Sequence, residues 1–265
     1  MMSRIVIGQY IPGDSFLHRL DPRAKLLFVF LFFFLIFLAN NISTYLILYL
    51  FVAICILLSQ IRVRLFLGSI KPVLFIIILT SILHLVMTKG GAALLTTPLF
   101  TVYEEGVRQA AFISSRFLIL VVMASILTFT TSSLDLTDAL EQLLEPLKKI
   151  RVPVHELALM MSIALRFIPT LWEETEKIKN AQLARGANLE SGNIFKRLAA
   201  YIPIFIPLFL SSFRRAEELA MAMEARAYRG GIGRTKYRLL QYKGKDYSLI
   251  VIFLLLVIMI GWLRS

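Results

Sequence analysis

Two arginines in matching surroundings are the side chains in this sequence best suited to recognition. Arg185 lies in the triplet Ala184-Arg185-Gly186, and Arg226 lies in the triplet Ala225-Arg226-Ala227. Each triplet follows a stretch with a helical pattern, so each arginine is expected near the C-terminal end of a helix. A guanidinium offers a planar fork of donors to carboxylates or backbone carbonyls, and its charge complements a helix C-terminus. The pair predicts two contact tips, although a single arginine at a helix end is commonplace as a solvated cap.

Catalytic chemistry is not indicated by the other reactive residues. The chain has no Gly-x-x-x-x-Gly-Lys-Ser/Thr loop for nucleotide phosphates, and Gly230-Gly231-Ile232-Gly233 lacks the required spacing. His155-Glu156 has no partner histidine at metal-ligand spacing. The single cysteine, Cys55, excludes an intrachain disulfide. We therefore predict a chain without enzymatic activity, cofactor or metal.

The composition indicates a membrane protein with several helical spans. Hydrophobic residues make up 58% of the chain, and the mean hydropathy is +0.75. Several apolar runs approach the roughly 20 residues that a helix needs to cross a bilayer. The net charge of +12 is concentrated beside these runs, which is a topology signal. A nucleic acid partner is not predicted.

Five spans are expected, at about 24–39, 44–59, 72–87, 107–131 and 248–262. Loops rich in lysine and arginine alternate with loops of balanced charge, and the basic side stays in the cytoplasm. This pattern predicts a multi-pass protein of the cell membrane with a cytoplasmic N-terminus. The spans contain no Asp or Glu, and His84 and Arg116 are the ionisable residues away from their ends. A stand-alone secondary transporter or channel, which usually has ionisable groups at mid-membrane, is the alternative that we keep open.

The helices expected to position the two arginines lie in a charged segment, 132–241. This segment holds more than half of the charged residues of the chain. One long helix is expected from Pro153 to about Gly186, and a second, kinked at Pro203 and Pro207, is expected after Asn193. The sequence thus predicts an all-α polytopic membrane protein with a cytoplasmic-face block of long helices. The predicted regions are 1–131 with four spans, 132–241 with the coupling helices, and 242–265 with the last span.

Two sets of motifs in this sequence form a recognisable combination. The first set lies near the N-terminus, in Tyr10-Ile11-Pro12-Gly13-Asp14-Ser15 and in Leu17-His18-Arg19-Leu20-Asp21-Pro22-Arg23-Ala24-Lys25-Leu26. The second set comprises Gln182-Leu183-Ala184-Arg185-Gly186 and Met223-Glu224-Ala225-Arg226-Ala227-Tyr228. Together they resemble the transmembrane T component of bacterial energy-coupling factor (ECF) transporters for vitamins and metals, and the second set is similar to the two Ala-Arg-Gly motifs of that family. The resemblance covers nearly the full length.

This resemblance implies a scaffold that joins two cytoplasmic ABC-type ATPases to a substrate-binding membrane protein, the S component. In that family the arginine of each motif ends a coupling helix and docks in a groove of one ATPase, which implies this role for Arg185 and Arg226. ATP and magnesium would be bound by the ATPases, and the S component would select the vitamin or other micronutrient.

One position departs from the family pattern, because Ala227 stands where glycine is favoured. An alanine there would let the second helix continue towards Gly230. Arg229 is therefore an alternative to Arg226 as the second docking tip, and the sequence leaves both possibilities open.

Overall fold

The computed structural model describes residues 10–96, 101–189, 193–228, 230 and 242–264. These residues form two compact units. One comprises the described residues of 8–139 and 240–265, and the other comprises those of 140–239. The division of the chain into 1–131, 132–241 and 242–265 remains a prediction.

The described chain is helical apart from one short hairpin and its connections. The helices are α1 (Pro22–Phe37), α2 (Ile42–Ser59), α3 (Val63–Met87), α4 (Glu104–Thr130), α5 (Ser133–Leu143), α6 (Val154–Ala184), α7 (Ile194–Ala225) and α8 (Gly244–Arg264). A 3₁₀ helix, Glu145–Ile150, follows α5, where Pro146 ends the α-helical pattern. The strands β1 (Ala93–Thr96) and β2 (Thr101–Tyr103) pair in antiparallel orientation between α3 and α4, where the sequence predicts only a loop.

All five predicted spans are helices, which confirms an all-α polytopic membrane protein. Among the described residues, six helices are long and apolar enough to cross a membrane, namely α2, α3, α4, α6, α7 and α8. The predicted first span, α1, has 16 residues. By length and composition alone α6 and α7 also count as candidate spans, although each carries a strongly charged C-terminal half.

The first unit is a helical bundle centred on α4. This helix packs against α1, α2 and α3, and α8 packs against α1 and α2. Phe32, Leu48 and Ile119 are completely buried between these helices. Many large apolar side chains on the outer faces are exposed, as expected where lipid covers the surface.

Local sequence signals fix the starts of α1 and α5. The Asp21 carboxylate accepts a hydrogen bond from the Arg23 backbone N–H at 2.8 Å, and Pro22 opens α1. Before α5, the Ser132 hydroxyl accepts from the Asp135 backbone N–H at 3.1 Å. The same hydroxyl donates to the Asp135 carboxylate at 2.7 Å.

A buried polar cluster, formed by Asp21, Arg23, Lys25 and Asp246, joins α1 to the start of α8. The Asp246 carboxylate is 3% exposed and accepts from the backbone N–H groups of Asp21, at 2.8 Å, and of Lys243, at 2.6 Å. The Arg23 guanidinium pairs with Asp21 at 3.0 Å. Lys25 donates from Nζ to the Thr130 carbonyl at 3.0 Å, at the end of α4. The N-terminal motif therefore has a structural role in holding three helices together.

Candidate docking site

The first arginine triplet closes α6 with a Schellman motif. Ala184 is the last helical residue and Arg185 occupies the cap. Gly186 has a φ of +85°, and its N–H donates to the Leu183 carbonyl at 3.0 Å. The N–H of Ala187 donates to the Gln182 carbonyl at 3.0 Å. These two bonds satisfy carbonyls that a helix end leaves free, and they confirm the predicted stop at Gly186.

The second triplet closes α7 in the same way. Ala225 is the last helical residue, and the Arg226 N–H still bonds to the Ala222 carbonyl at 3.3 Å. The next two N–H groups complete the motif, from Ala227 to the Glu224 carbonyl at 2.8 Å and from Tyr228 to the Met223 carbonyl at 3.0 Å. Arg226 thus occupies the position at the end of α7 that Arg185 occupies at the end of α6.

The expectation that Ala227 lets the helix continue towards Gly230 is wrong. Ala227 has a φ of +56°, in the left-handed region that an alanine adopts at a cost of roughly 1–2 kcal/mol. The paired carbonyls of Met223 and Glu224 offset this cost at the helix end. Arg229, the alternative tip, lies outside the described residues.

Both cap arginines are exposed. Within the part of the chain that the structure describes, neither guanidinium makes an ion pair or a side-chain hydrogen bond. Each tip therefore presents its full set of donors outward. An acidic or carbonyl-lined groove on another protein would match this chemistry.

α6 and α7 pack against each other as an antiparallel pair. The Glu174 carboxylate accepts from the Ser211 hydroxyl at 2.5 Å and from the Arg215 guanidinium at 2.8 Å. Two turns further along α6, Gln182 Nε2 donates to the Pro203 carbonyl at 3.4 Å. Residues later in α6 therefore contact residues earlier in α7, so the two helices are antiparallel.

Because α6 and α7 are antiparallel, their C-terminal tips lie far apart. From Glu174 to Arg185, α6 rises about 16 Å at 1.5 Å per residue, and from Ser211 to Arg226, α7 rises about 22 Å in the opposite sense. No proline interrupts either stretch. The two arginine caps thus lie at opposite ends of the contact between α6 and α7, and a single binding groove is not expected to hold both.

The hydrogen bonds and the ion pair that join α6 to α7 could not be located from the sequence. The Pro203 carbonyl would ordinarily accept from the N–H of residue 207, which is a proline and has none. Gln182 supplies the missing donor from the other helix. The proline spacing is a signal that this carbonyl needs a partner, but only the fold shows which residue provides it. Apart from their opposite charges, nothing in the sequence around Glu174 and Arg215 indicates that these two residues pair.

The histidines singled out by the sequence have structural contacts. His155 lies in the first turn of α6 and is largely buried. Its Nδ1 lies 3.0 Å from a carboxylate oxygen of Glu141, so it joins α6 to α5. His84 Nδ1 lies 3.4 Å from the Thr88 hydroxyl at the end of α3.

Comparison with known proteins agrees with this architecture. Residues 13–237 match the family described as CbiQ, cobalt transport protein. The chain is 57% identical over 265 residues to a protein of Brevibacillus brevis and 50% identical over 265 residues to one of Bacillus subtilis, with all of each chain covered. It is 50% identical over 261 residues to a protein of Exiguobacterium sibiricum, covering 98% of this chain and 99% of the relative.

Each of these relatives is named energy-coupling factor transporter transmembrane protein EcfT. The match spans both arginine motifs and the N-terminal motif. With its apolar helices, the chain is a multi-pass membrane protein. It belongs to the CbiQ family and, within it, to the transmembrane components of energy-coupling factor transporters.

Proposed function

We propose that this chain is the scaffold that transmits motion in an ECF-type ABC importer. It binds two cytoplasmic ATPase subunits through Arg185 and Arg226 and holds a membrane-embedded S component that captures the substrate. The observation that carries this proposal is the identical closure of α6 and α7, with an exposed arginine at each cap. Two equivalent tips fit a pair of related subunits.

The antiparallel pairing of α6 and α7 explains how force passes through the chain. Each tip engages its own ATPase, because the tips diverge from the shared contact at Glu174, Ser211 and Arg215. Closure of the ATPase pair on binding ATP moves the tips, and the packed helices transmit this displacement to their apolar segments. The S component responds by reorienting in the membrane and releasing its vitamin or other micronutrient inward.

In this proposal the partner ATPases carry out ATP hydrolysis. The chain supplies no nucleotide-binding loop, so ATP and magnesium are bound by the ATPases and the scaffold needs no cofactor. The ATPases are cytoplasmic, so both arginine tips face the cytoplasm, and the antiparallel α6 and α7 lie along that face of the membrane with one tip at each end. The basic loops support a cytoplasmic N-terminus in this proposal.

Purification of the tagged chain from its native membrane in mild detergent tests this function. We expect two ABC-type ATPase subunits and one small hydrophobic protein to be recovered with it, and the preparation to hydrolyse ATP. The hydrophobic protein would then identify the substrate class. Recovery of the chain alone, able to bind or move a solute without ATPases, would contradict the proposal and support a stand-alone secondary transporter.

A further inference from the structure

Two prolines four residues apart weaken α7 near its middle. Both Pro203 and Pro207 lie inside the helix. A proline has no N–H to donate to the carbonyl four positions earlier, so the carbonyls of Ala199 and Pro203 lose their usual partners within α7. Sharp bends in helices occur at such places. We call the segment 203–207 the proline hinge.

The straight helix α6 holds α7 on both sides of the proline hinge. On one side, Gln182 donates from Nε2 to the Pro203 carbonyl at 3.4 Å. On the other side, the Glu174 carboxylate accepts from the Ser211 hydroxyl. The two contacts are eight residues apart on each helix, which is about 12 Å along each axis. Since α6 has no proline after Pro169, it supports the hinge along this whole distance.

Of these two contacts, the one made by Gln182 lies next to an arginine tip. Gln182 comes three residues before Arg185, so the same helical turn carries both side chains and they move together. The bond is exposed and long for an N–H donor, so a displacement of the tip can break and re-form it. Met223 occupies the matching position before Arg226 and has no amide to donate. The contact is therefore specific to the first tip.

We infer that Gln182 links the first arginine tip to the proline hinge of α7. While its amide is bonded to the Pro203 carbonyl, α7 stays packed along α6. When the bond breaks, this carbonyl turns to water and α7 bends more strongly at Pro207. The exposed apolar side chains of the segment, such as Phe205 and Phe209, move with the bend. The link to the tip rests on the proposed function, whereas the effect of Gln182 on the shape of α7 does not.

Distances measured by pulsed electron paramagnetic resonance in the full-length chain in detergent test the hinge. In a Cys55→Ser background, Arg197→Cys and Glu217→Cys carry nitroxide labels at exposed positions on either side of it, about 30 Å apart along a straight helix. Gln182→Leu removes the donor at similar size and is expected to raise the population of a shorter distance about threefold. Asn180→Leu, the loss of an exposed amide elsewhere on α6, should leave the distances unchanged.

Returning the missing donor to α7 itself is the second test. Pro207→Ala supplies an N–H for the Pro203 carbonyl, so α7 should straighten and the shorter distance should disappear. In the Pro207→Ala background, Gln182→Leu should have no further effect. Unchanged distances in Gln182→Leu, or an equal change in the Pro207→Ala background, would overturn the inference. If Gln182→Leu does not fold, unchanged distances in Pro207→Ala alone would overturn it.

The assembled transporter tests the link to the tip. Addition of Mg-ATP with orthovanadate should change the distance between the labels, because closure of the ATPases displaces Arg185. Gln182→Leu should reduce this change about threefold, with the same amount of ATPase recovered. An equal change in both proteins would refute the link. Failure to recover ATPases with either protein would contradict the proposed function instead, and the measurement on the chain alone would still decide the role of Gln182 in the hinge.

Discussion

Charge reversal at both caps, Arg185→Glu together with Arg226→Glu, is expected to release the ATPase subunits while the membrane helices stay folded. Loss of a desolvated charged contact at an interface costs about 2–5 kcal/mol. Two such losses correspond to a weakening on the order of a thousandfold or more, and each single reversal to about thirtyfold. The amount of ATPase recovered with the tagged chain measures the effect.

A control with the same change in charge separates docking from general electrostatics. Lys179 and Arg214 are exposed on α6 and α7 but lie away from the caps. Lys179→Glu with Arg214→Glu should therefore retain the ATPases. Normal ATPase recovery with the cap variant, or equal loss with the control variant, would contradict docking through Arg185 and Arg226.

Substitution of Asp246 is expected to destabilise the membrane unit strongly. Asp246→Asn places an amide where two carboxylate oxygens accept the N–H groups of Asp21 and Lys243. The NH₂ group of the new amide then faces one of these two backbone N–H groups, so two donors oppose each other. The positive charge of the buried Lys25 also loses a nearby negative charge. Breaking such a buried charged contact costs about 3 kcal/mol or more.

The midpoint of thermal unfolding in detergent measures this loss of stability. Asp14→Asn is the matched control, because Asp14 is exposed. The folded fraction of the Asp246→Asn protein should still bind the ATPases, since the polar cluster has no docking role in this account. An unfolding midpoint equal to that of the control would show that the polar cluster does not stabilise the bundle.

Features encoded by neighbouring residues could be predicted from the sequence. The aspartate-proline start of α1, the serine-aspartate cap of α5 and the stop at Gly186 depend on side chains within a few positions of the helix end. The apolar runs likewise mark the helices that the structure contains. Local physical chemistry is sufficient for each of these.

Features that depend on distant residues could not be predicted. Asp246 meets Asp21 only because α8 packs beside α1. Glu174 meets Arg215 only because α6 and α7 run antiparallel. The end of α7 at Ala225 was not predicted either. Alanine disfavours the left-handed conformation, but at Ala227 the hydrogen bonds to the Met223 and Glu224 carbonyls stabilise it and end the helix.

The central claim, that each cap engages a separate ATPase, can be tested by crosslinking from the residue one turn before each arginine. Ala181 and Ala222 are exposed and lie four positions before Arg185 and Arg226. In a Cys55→Ser background, Ala181→Cys and Ala222→Cys would each carry a thiol-attached benzophenone in the assembled transporter. Photolysis is expected to give a product containing the chain and two ATPase subunits from the double variant, and one subunit from each single variant. A double variant that captures only one ATPase, or none, would contradict docking at two separate tips.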